Sequence, residues 1–456
     1  MLDQAWRATG LDRIGARVAH WTTIDIAQQS YQSDRPYPPF FSLATERQVW
    51  LDPSSGVERN QARLVGLVAG DAPTVMTVAA ESTAFIVEGA ALRRSVAAFQ
   101  QSLVHRPLDA WAVLADWRLA PRVMSVGHCI FREYPRVVLE RIGAFGRERL
   151  YLDEKTHLPV KFEREEPHYL WGQVLAEYEY QTWTYVDGTV HPGAVFRLVE
   201  GALDIERLET SFALVPRDSL PMLRIPDSAP MSPALPRFLQ PIALDTERVA
   251  SDVVLLRNPG YREGVVFARD TVFLLDATQG EGRARLDSAC IARLYPTRKA
   301  VVVIVTDLAW PHIAGVRFWV ARGATIVSRT SSRPMLERVV RRRWTRAPDG
   351  LETRRLREPV PFHFVGVGDS LSLAGGALRL YPIDGVASEG ALMVFMPASG
   401  VLWASDYVQQ VGTPSLYSAE VVRAAQRVHI DPRVVVAEHI GPQPWSRIHA
   451  DAAGVP

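Results

Sequence analysis

Apolar and polar residues alternate through most of the first 215 positions. In "RQVWLDPSSGVERNQARLVG" and again in "ERLYLDEKTHLPVKFERE" an alternating run ends in Leu-Asp (Leu51-Asp52, Leu152-Asp153). A short polar turn follows, and a second alternating run returns. Period-two alternation around turn residues predicts a β-hairpin, here used twice. "GQVLAEYEYQTWTYVDG" and "GAVFRLVEGALDIERLETSFALV" extend the pattern into a meander. The stretch from Thr83 to Leu119, which includes "LRRSVAAFQQSLVHRPLDAWAVLADW", reads as helical with a break near Pro107. The opening "MLDQAWRATGLDRIGARVAHW" reads as an amphipathic helix. Together these predict an antiparallel sheet with helices laid on one face.

Seven prolines between Pro216 and Pro241 interrupt the pattern. Proline fixes φ and removes a backbone donor, so neither a helix nor a central strand survives that density, and an extended linker is expected. Beyond it the rhythm changes. Short strands ("DVVLLRNPG", "AVVVIVTDLA", "GATIVSRT", "GALRLYPID", "RVVVAEH") alternate with helical segments such as "GRARLDSACIARLYP" and "RPMLERVVRRRW". The pairs "EGVVFARDTVFLLD" and "ALMVFMPASGVLWASD" read as hairpins. This predicts a layered α/β domain with mixed sheets. The chain thus divides into an α+β domain at 1–215, a linker at 216–241 and an α/β domain at 242–456, the last self-contained by its pattern.

Composition adds mainly exclusions. The chain has 456 residues, 47% hydrophobic and 22% charged, with 51 basic and 50 acidic side chains and a net charge of +1. Such a balance gives no electrostatic reason to expect a nucleic-acid partner. No stretch reaches the ~18–20 apolar residues of a transmembrane helix. The start carries Asp3 and Asp12 and lacks an apolar leader, so a cytoplasmic location is expected, or a periplasmic or secreted one if an upstream signal is missing. Cys129 and Cys290 fall in different domains and read as two buried thiols, not a disulfide. "RVVRRRWTR" (338–346) reads as a salt-bridged helix end, and "GVGDSLSLAGG" lacks the context of a phosphate loop.

The repeated hairpins with "LDP" and "LDEKTHLPV" make residues 10–215 resemble the lipoprotein-carrier fold, a curved half-barrel with helices across its concave side. In that family the concave face binds acyl chains, which implies a hydrophobic small-molecule or lipid ligand. The alternative is that Tyr169, Trp171, Tyr178, Tyr180, Trp183 and Tyr185 fill a core.

Five segments after residue 245 fall in an order that resembles the metallo-β-lactamase superfamily, an αββα sandwich. They are the strand pair ending at Asp276, "VVVIVTDLAWPHIAG", "RFWVARGATIVS", the hairpin ending in "LWASD", and "VVVAEHIGP". The family's loop reads Thr-His-x-His-x-Asp-His-x-x-Gly. Thr306, His312 and Gly315 match it, while Asp307, Ala309 and Pro311 replace the two first histidines and the aspartate. Ala387 stands where a further histidine is expected, Asp406 matches the bridging aspartate, and His439 matches the final histidine. The resemblance therefore implies a degenerate metal site. An alanine cannot ligate, so the three-histidine position is lost. His312, Asp406 and His439 remain, with Asp307 as a candidate fourth ligand and His363 and Asp384 as unorthodox ones. No metal, or a single Zn (alternatively Fe or Mn), is expected. Pro311 removes the carboxylate that positions the attacking water, so a non-hydrolytic binding or scaffold role is expected. The alternatives are a mononuclear metal-dependent hydrolase and a lipid carrier acting through the first domain.

Overall fold

The computed structural model describes residues 1–27, 43–65, 74–80, 83–88, 91–143, 145–219, 229–231, 244–258, 260–453 and 455. It separates into two compact units. The first runs through Met1–Gln29, Ser42–Pro167 and Val174–Leu239; the second includes His168–Gln173 and Gln240–Pro456. The expected linker at 216–241 lies largely outside the described residues.

The first unit is built on one curved 13-stranded sheet. Strands from Arg17 to Arg94 run outward in order along one arm, and those from Met124 to Pro216 return along the other. The first strand, Arg17–Ala27, closes the path by pairing antiparallel with the last, Ala202–Pro216. Both predicted hairpins are present, as Leu43–Asp52 with Val57–Val65 and Gly146–Asp153 with Pro159–His168. Their shared Leu-Asp has a physical reason. Asp52 Oδ1 accepts hydrogen bonds from the Ser54 N–H at 3.0 Å and hydroxyl at 2.7 Å. Asp153 Oδ1 accepts from the N–H groups of Lys155 and Thr156 at 3.0 and 2.8 Å. Each aspartate side chain supplies the acceptor that shapes its turn.

Three expectations need correction. Residues 83–88 and 91–94 are strands, and helix begins only at Val96, running to His105 and again over Ala110–Leu119 with the break at Pro107 where expected. The opening helix stops at Ala8, and "RVAHW" is already strand. Cys290 is buried, but Cys129 is half-buried on the strand Met124–Phe131.

The helix Ala110–Leu119 is buried along most of its length, and Trp111 and Trp117 enter one core with Leu51, Leu139, Phe162 and Tyr178 from the sheet. Tyr180 lies in the same core and donates to the Pro107 carbonyl at 2.8 Å; Trp183 packs at its border, while Tyr185 is exposed. The space left among Trp21, Trp111, His191 and Phe212 is about 20 Å³. That volume admits roughly one water, so this gap has no room for an acyl chain. Tyr178 and Tyr180 serve as packing residues here.

The face is not apolar throughout. Two residues along from the core positions Val49, Val195 and Ile205 stand Arg47, Arg197 and Arg207, all buried and on the same face by strand periodicity. Asp25 accepts from Arg47 Nε at 2.6 Å and from Arg207 at 2.7 and 2.9 Å. Arg197 donates to Asp204 and, at 3.0 Å, to Glu166. Burial opposes the charge on Asp25, but Arg207 and Arg47 overcome it and hold its carboxyl well below the usual range.

The second unit contains two sheets. One has seven strands in the order Asp245–Arg248, Val253–Asn258, Tyr261–Ala268, Thr271–Leu275, Ala300–Ile304, Thr325–Arg329 and Phe364–Val367. The first four are antiparallel and the last three add in parallel. The other has six, in the order Leu371–Leu373, Leu378–Pro382, Leu392–Met396, Val401–Trp403, Val434–Val436 and Gln443–Pro444. Alternate residues of both sheets, among them Val253, Phe273, Ile304, Leu380, Val394 and Trp403, meet in one core. The opposite positions Val254, Leu256, Leu274, Val303 and Ile326 are buried too, as expected of a sheet covered on both faces. Buried positions of the helices Glu281–Leu294, Val316–Val320 and Arg333–Arg341 supply the outer cover on that side. Helices Leu416–Arg427 and Trp445–Ala452 pack on the outer face of the six-stranded sheet. The layers are α, β, β, α. The basic run after Arg338 is salt-bridged as expected, with Arg341 on Glu337 and Arg343 on Glu352.

One buried acid in the first unit gives a pH test. Asp109 caps Ala110–Leu119 by accepting from the Trp111 N–H at 2.9 Å, but its Oδ2 has no hydrogen-bond partner. Burial, with the charge of Glu58, pushes its carboxyl up to about 7. A folded pKa above the unfolded one means that ionisation costs stability as pH rises from about 4 through 7. Asp109→Asn keeps the cap and removes the charge. The variant should match the parent near pH 4 and exceed it at pH 8 by up to about 4 kcal/mol, measured by urea unfolding at both pH values.

Candidate metal centre

Four strand ends meet at one rim of the second unit. Asp276 follows Thr271–Leu275, and Thr306 and Asp307 follow Ala300–Ile304. Ser405 and Asp406 follow Val401–Trp403, and Glu438 and His439 follow Val434–Val436. Two of these strands belong to each sheet. The loop after Ala300–Ile304 contains the one-turn helix Trp310–Ile313, where Pro311 sits in the first turn and no intrahelical N–H is lost. Gly315 is required by close approach: its N–H donates to the Ala277 carbonyl at 2.7 Å, and a Cβ would lie 2.9 Å from that oxygen.

A polar chain joins the two sheets at this rim. Asp276 accepts from the Thr306 N–H at 2.6 Å, from the Thr306 hydroxyl, and from Trp403 Nε1 at 3.0 Å. The Thr306 and Ser405 hydroxyls are 2.8 Å apart, and Ser405 donates to Asp307 Oδ2 at 2.6 Å. Asp276 and Ser405 hold left-handed backbone, with φ of 67° and 55°, a conformation that persists only where surrounding contacts enforce it. Burial, then the charge of Asp307, raises the Asp276 carboxyl to about 7 against the donors on it.

His312 is buried between two carboxylates. Its Nδ1 lies 2.9 Å from both Asp307 oxygens, and its Nε2 lies 2.6 Å from Glu438 Oε2. Burial works against its charge, but Asp307 and Glu438 raise its pKa well above the usual value. Burial pushes Glu438 well above the carboxylate range; His312 opposes this, and Asp276 and Asp307 add to it. His439 places Nδ1 2.7 Å from the Gly260 carbonyl and Nε2 2.9 Å from Asp406 Oδ1. His439 is the most exposed member, at 20% of its side chain.

One donor atom each from His312, Asp406, Glu438 and His439 forms a group within 4.8 Å of one another. Asp406 Oδ1 and both Glu438 oxygens are buried without a hydrogen-bond partner, so the short contacts from the imidazoles lack hydrogen-bond alignment. Each imidazole has Nδ1 on an oxygen acceptor and Nε2 facing the group. That pattern, with an outer oxygen fixing the tautomer, is how metal-ligating histidines are held. One divalent ion could be held by this set.

The structure therefore brings His312, Asp406 and His439 together, although His312 and Asp406 lie over 90 residues apart. Asp307 lies against His312 Nδ1 and is not one of the four grouped donors. The structure adds Glu438. The signal was an acid placed directly after the apolar strand "RVVVA" and beside His439, where a solvated turn residue would not be fully buried. His363 and Asp384 stay outside the group: the His363 carbonyl accepts from Ile326, and Asp384 pairs with Arg329. Ala309 caps the short helix, and the Ala387 N–H donates to Glu420.

The second unit is an αββα sandwich. No family model matches the sequence, and no curated protein does. Solved structures similar to the chain include the DIM-1 metallo-β-lactamase, at 15% identity over 46% of this chain and 95% of that one, TM-score 0.36. A metallo-β-lactamase from Pontibacter korlensis shows 14% identity over 46% and 98%, TM-score 0.36. A domain described as an outer membrane lipoprotein-sorting protein, from Vibrio parahaemolyticus, shows 11% identity over 47% and 91%, TM-score 0.32. Likenesses of this size add no weight to the fold, which rests on the strand order and layering.

The inter-sheet chain gives a stability test. Thr306→Val keeps the shape but leaves Asp276 and Ser405 short of a buried partner. It should destabilise the protein by about 1–3 kcal/mol in denaturant unfolding.

Proposed function

We propose that this protein carries a metallo-β-lactamase-like domain reduced to a single metal position, with a non-hydrolytic binding or scaffold role. The observation that carries the reading is Asp307. It stands where the family places a metal-ligating histidine, yet its two oxygens are turned onto His312 Nδ1. With Ala309 and Ala387 at two further positions, the three-histidine metal keeps no donor. His312, Asp406 and His439 support the other position.

A bound divalent ion lowers the pKa of a water and polarises an acyl or phosphoryl oxygen. This chain's residues give that chemistry little help. Pro311 supplies no base, Asp307 is committed to His312 and Ser405, and His312 and Glu438 are buried. The exposed edge of His439 favours a second reading, a mononuclear metal-dependent hydrolase reached from that side.

Elemental analysis of the purified chain should find no more than one equivalent of Zn, Fe or Mn, and β-lactam and ester substrates should not turn over. Two equivalents of metal would overturn the single-position reading. Hydrolysis abolished by His439→Ala would establish the second reading in its place. Restoring Ala309→His, Pro311→Asp and Ala387→His together should raise metal content more than any one of them, because ligands act as a set.

A further inference from the structure

We propose that Glu438 replaces the carboxylate lost at Pro311, closing the retained position as a four-donor cage that serves stability; this rests on the single-metal reading above. The replacement comes from a different part of the chain. Position 311 lies in the loop after Ala300–Ile304, whereas Glu438 follows Val434–Val436 in the other sheet.

The placement of Glu438 is specific. Its side chain is fully buried, and neither carboxylate oxygen has a hydrogen-bond partner. Its backbone, by contrast, is satisfied on both sides: its N–H donates to the Ser405 carbonyl at 3.1 Å, and its carbonyl accepts from the Arg262 N–H at 2.8 Å. The main chain is thus fixed, and the carboxylate is the part of the residue that faces the donor group. Buried carboxylates are otherwise paired, hydrogen-bonded or metal-bound. Here the nearest group is His312 Nε2, at 2.6 Å and out of hydrogen-bond alignment.

A plain ion pair between Glu438 and His312 would explain that contact. A second pair, His439 Nε2 on Asp406 Oδ1 at 2.9 Å, would likewise explain that contact, but two separate pairs do not explain why all four donor atoms lie within 4.8 Å of one another. A cation between the four donors accounts for all of them together. Two imidazole nitrogens and two carboxylate oxygens suit Zn, and also Fe(II) or Mn(II). Four protein donors, three of them buried, are the arrangement of a structural site, since catalytic sites keep a position open. The cage would join the loop after Ala300–Ile304 in one sheet to the loops after Val401–Trp403 and Val434–Val436 in the other.

The test uses the full chain stripped with chelator and then titrated with Zn(II). A chromogenic chelator in competition reads affinity, and thermal unfolding reads the stabilisation. The parent should bind one Zn with a clear rise in Tm. Glu438→Gln should bind at least tenfold more weakly with a smaller rise, and Co(II) bound to it should show an altered visible spectrum. Should Glu438→Gln fold poorly, Glu438→Asp serves, its shorter carboxylate also weakening Zn. If either folded variant binds Zn as tightly as the parent, the role given to Glu438 is wrong, while the single-metal reading stands. If the parent binds no Zn, Fe(II) or Mn(II), the single-metal reading fails and this inference fails with it.

Discussion

The polar contacts running from Asp276 through Thr306 and Ser405 to Asp307 cross from one sheet of the second unit to the other. Elsewhere the sheets meet through apolar side chains, which hold them at a distance but do not fix register. At this rim polar groups do. Trp403 adds its indole N–H to Asp276 from the second sheet, so one carboxylate collects donors from both. Asp307 ends the chain and passes the order on to His312. The position of the imidazole is therefore a consequence of how the sandwich is closed.

This explains how so much negative charge is tolerated under cover. Asp276, Asp307, Asp406 and Glu438 crowd against two imidazoles, and all four carboxylates are buried. Asp276 and Asp307 are compensated by directed hydrogen bonds. Asp406 and Glu438 are compensated much less, and they are the two that face the shared centre. Compensation thus falls off from the hydrogen-bonded pair Asp276 and Asp307 toward the pair that faces the shared centre.

Much of the architecture was legible in the chain because hydrophobic periodicity and turn chemistry agree with the fold. The hairpins read from Leu51-Asp52 and Leu152-Asp153 exist because the aspartates shape the turns. The mixed sheets of the second unit follow from runs such as "AVVVIVTDLA". Residues 83–94 were misread because "TAFIVE" and "ALRR" are short, lack strict alternation and precede real helix, so periodicity alone could not place the boundary. The donor group was only partly legible. A family pattern locates His312, Asp406 and His439 by position, but which nitrogen of an imidazole meets which oxygen is a matter of geometry. Position alone makes Asp307 a candidate ligand, whereas the geometry sets its carboxylate against His312 Nδ1. Glu438 was passed over because no pattern asks for an acid there.

The first unit's ionic lining has a consequence for how its sequence can change over time. Asp25 serves Arg47 and Arg207 at once, and Arg197 is shared by Glu166 and Asp204. Loss of one member leaves a buried charge unmatched, at a cost of about 3–5 kcal/mol, while replacing a whole set with apolar residues is often neutral. Substitution on this face is thus constrained to move by groups. A wholly apolar face is separated from the present one by several coordinated changes, and no single step leads toward it.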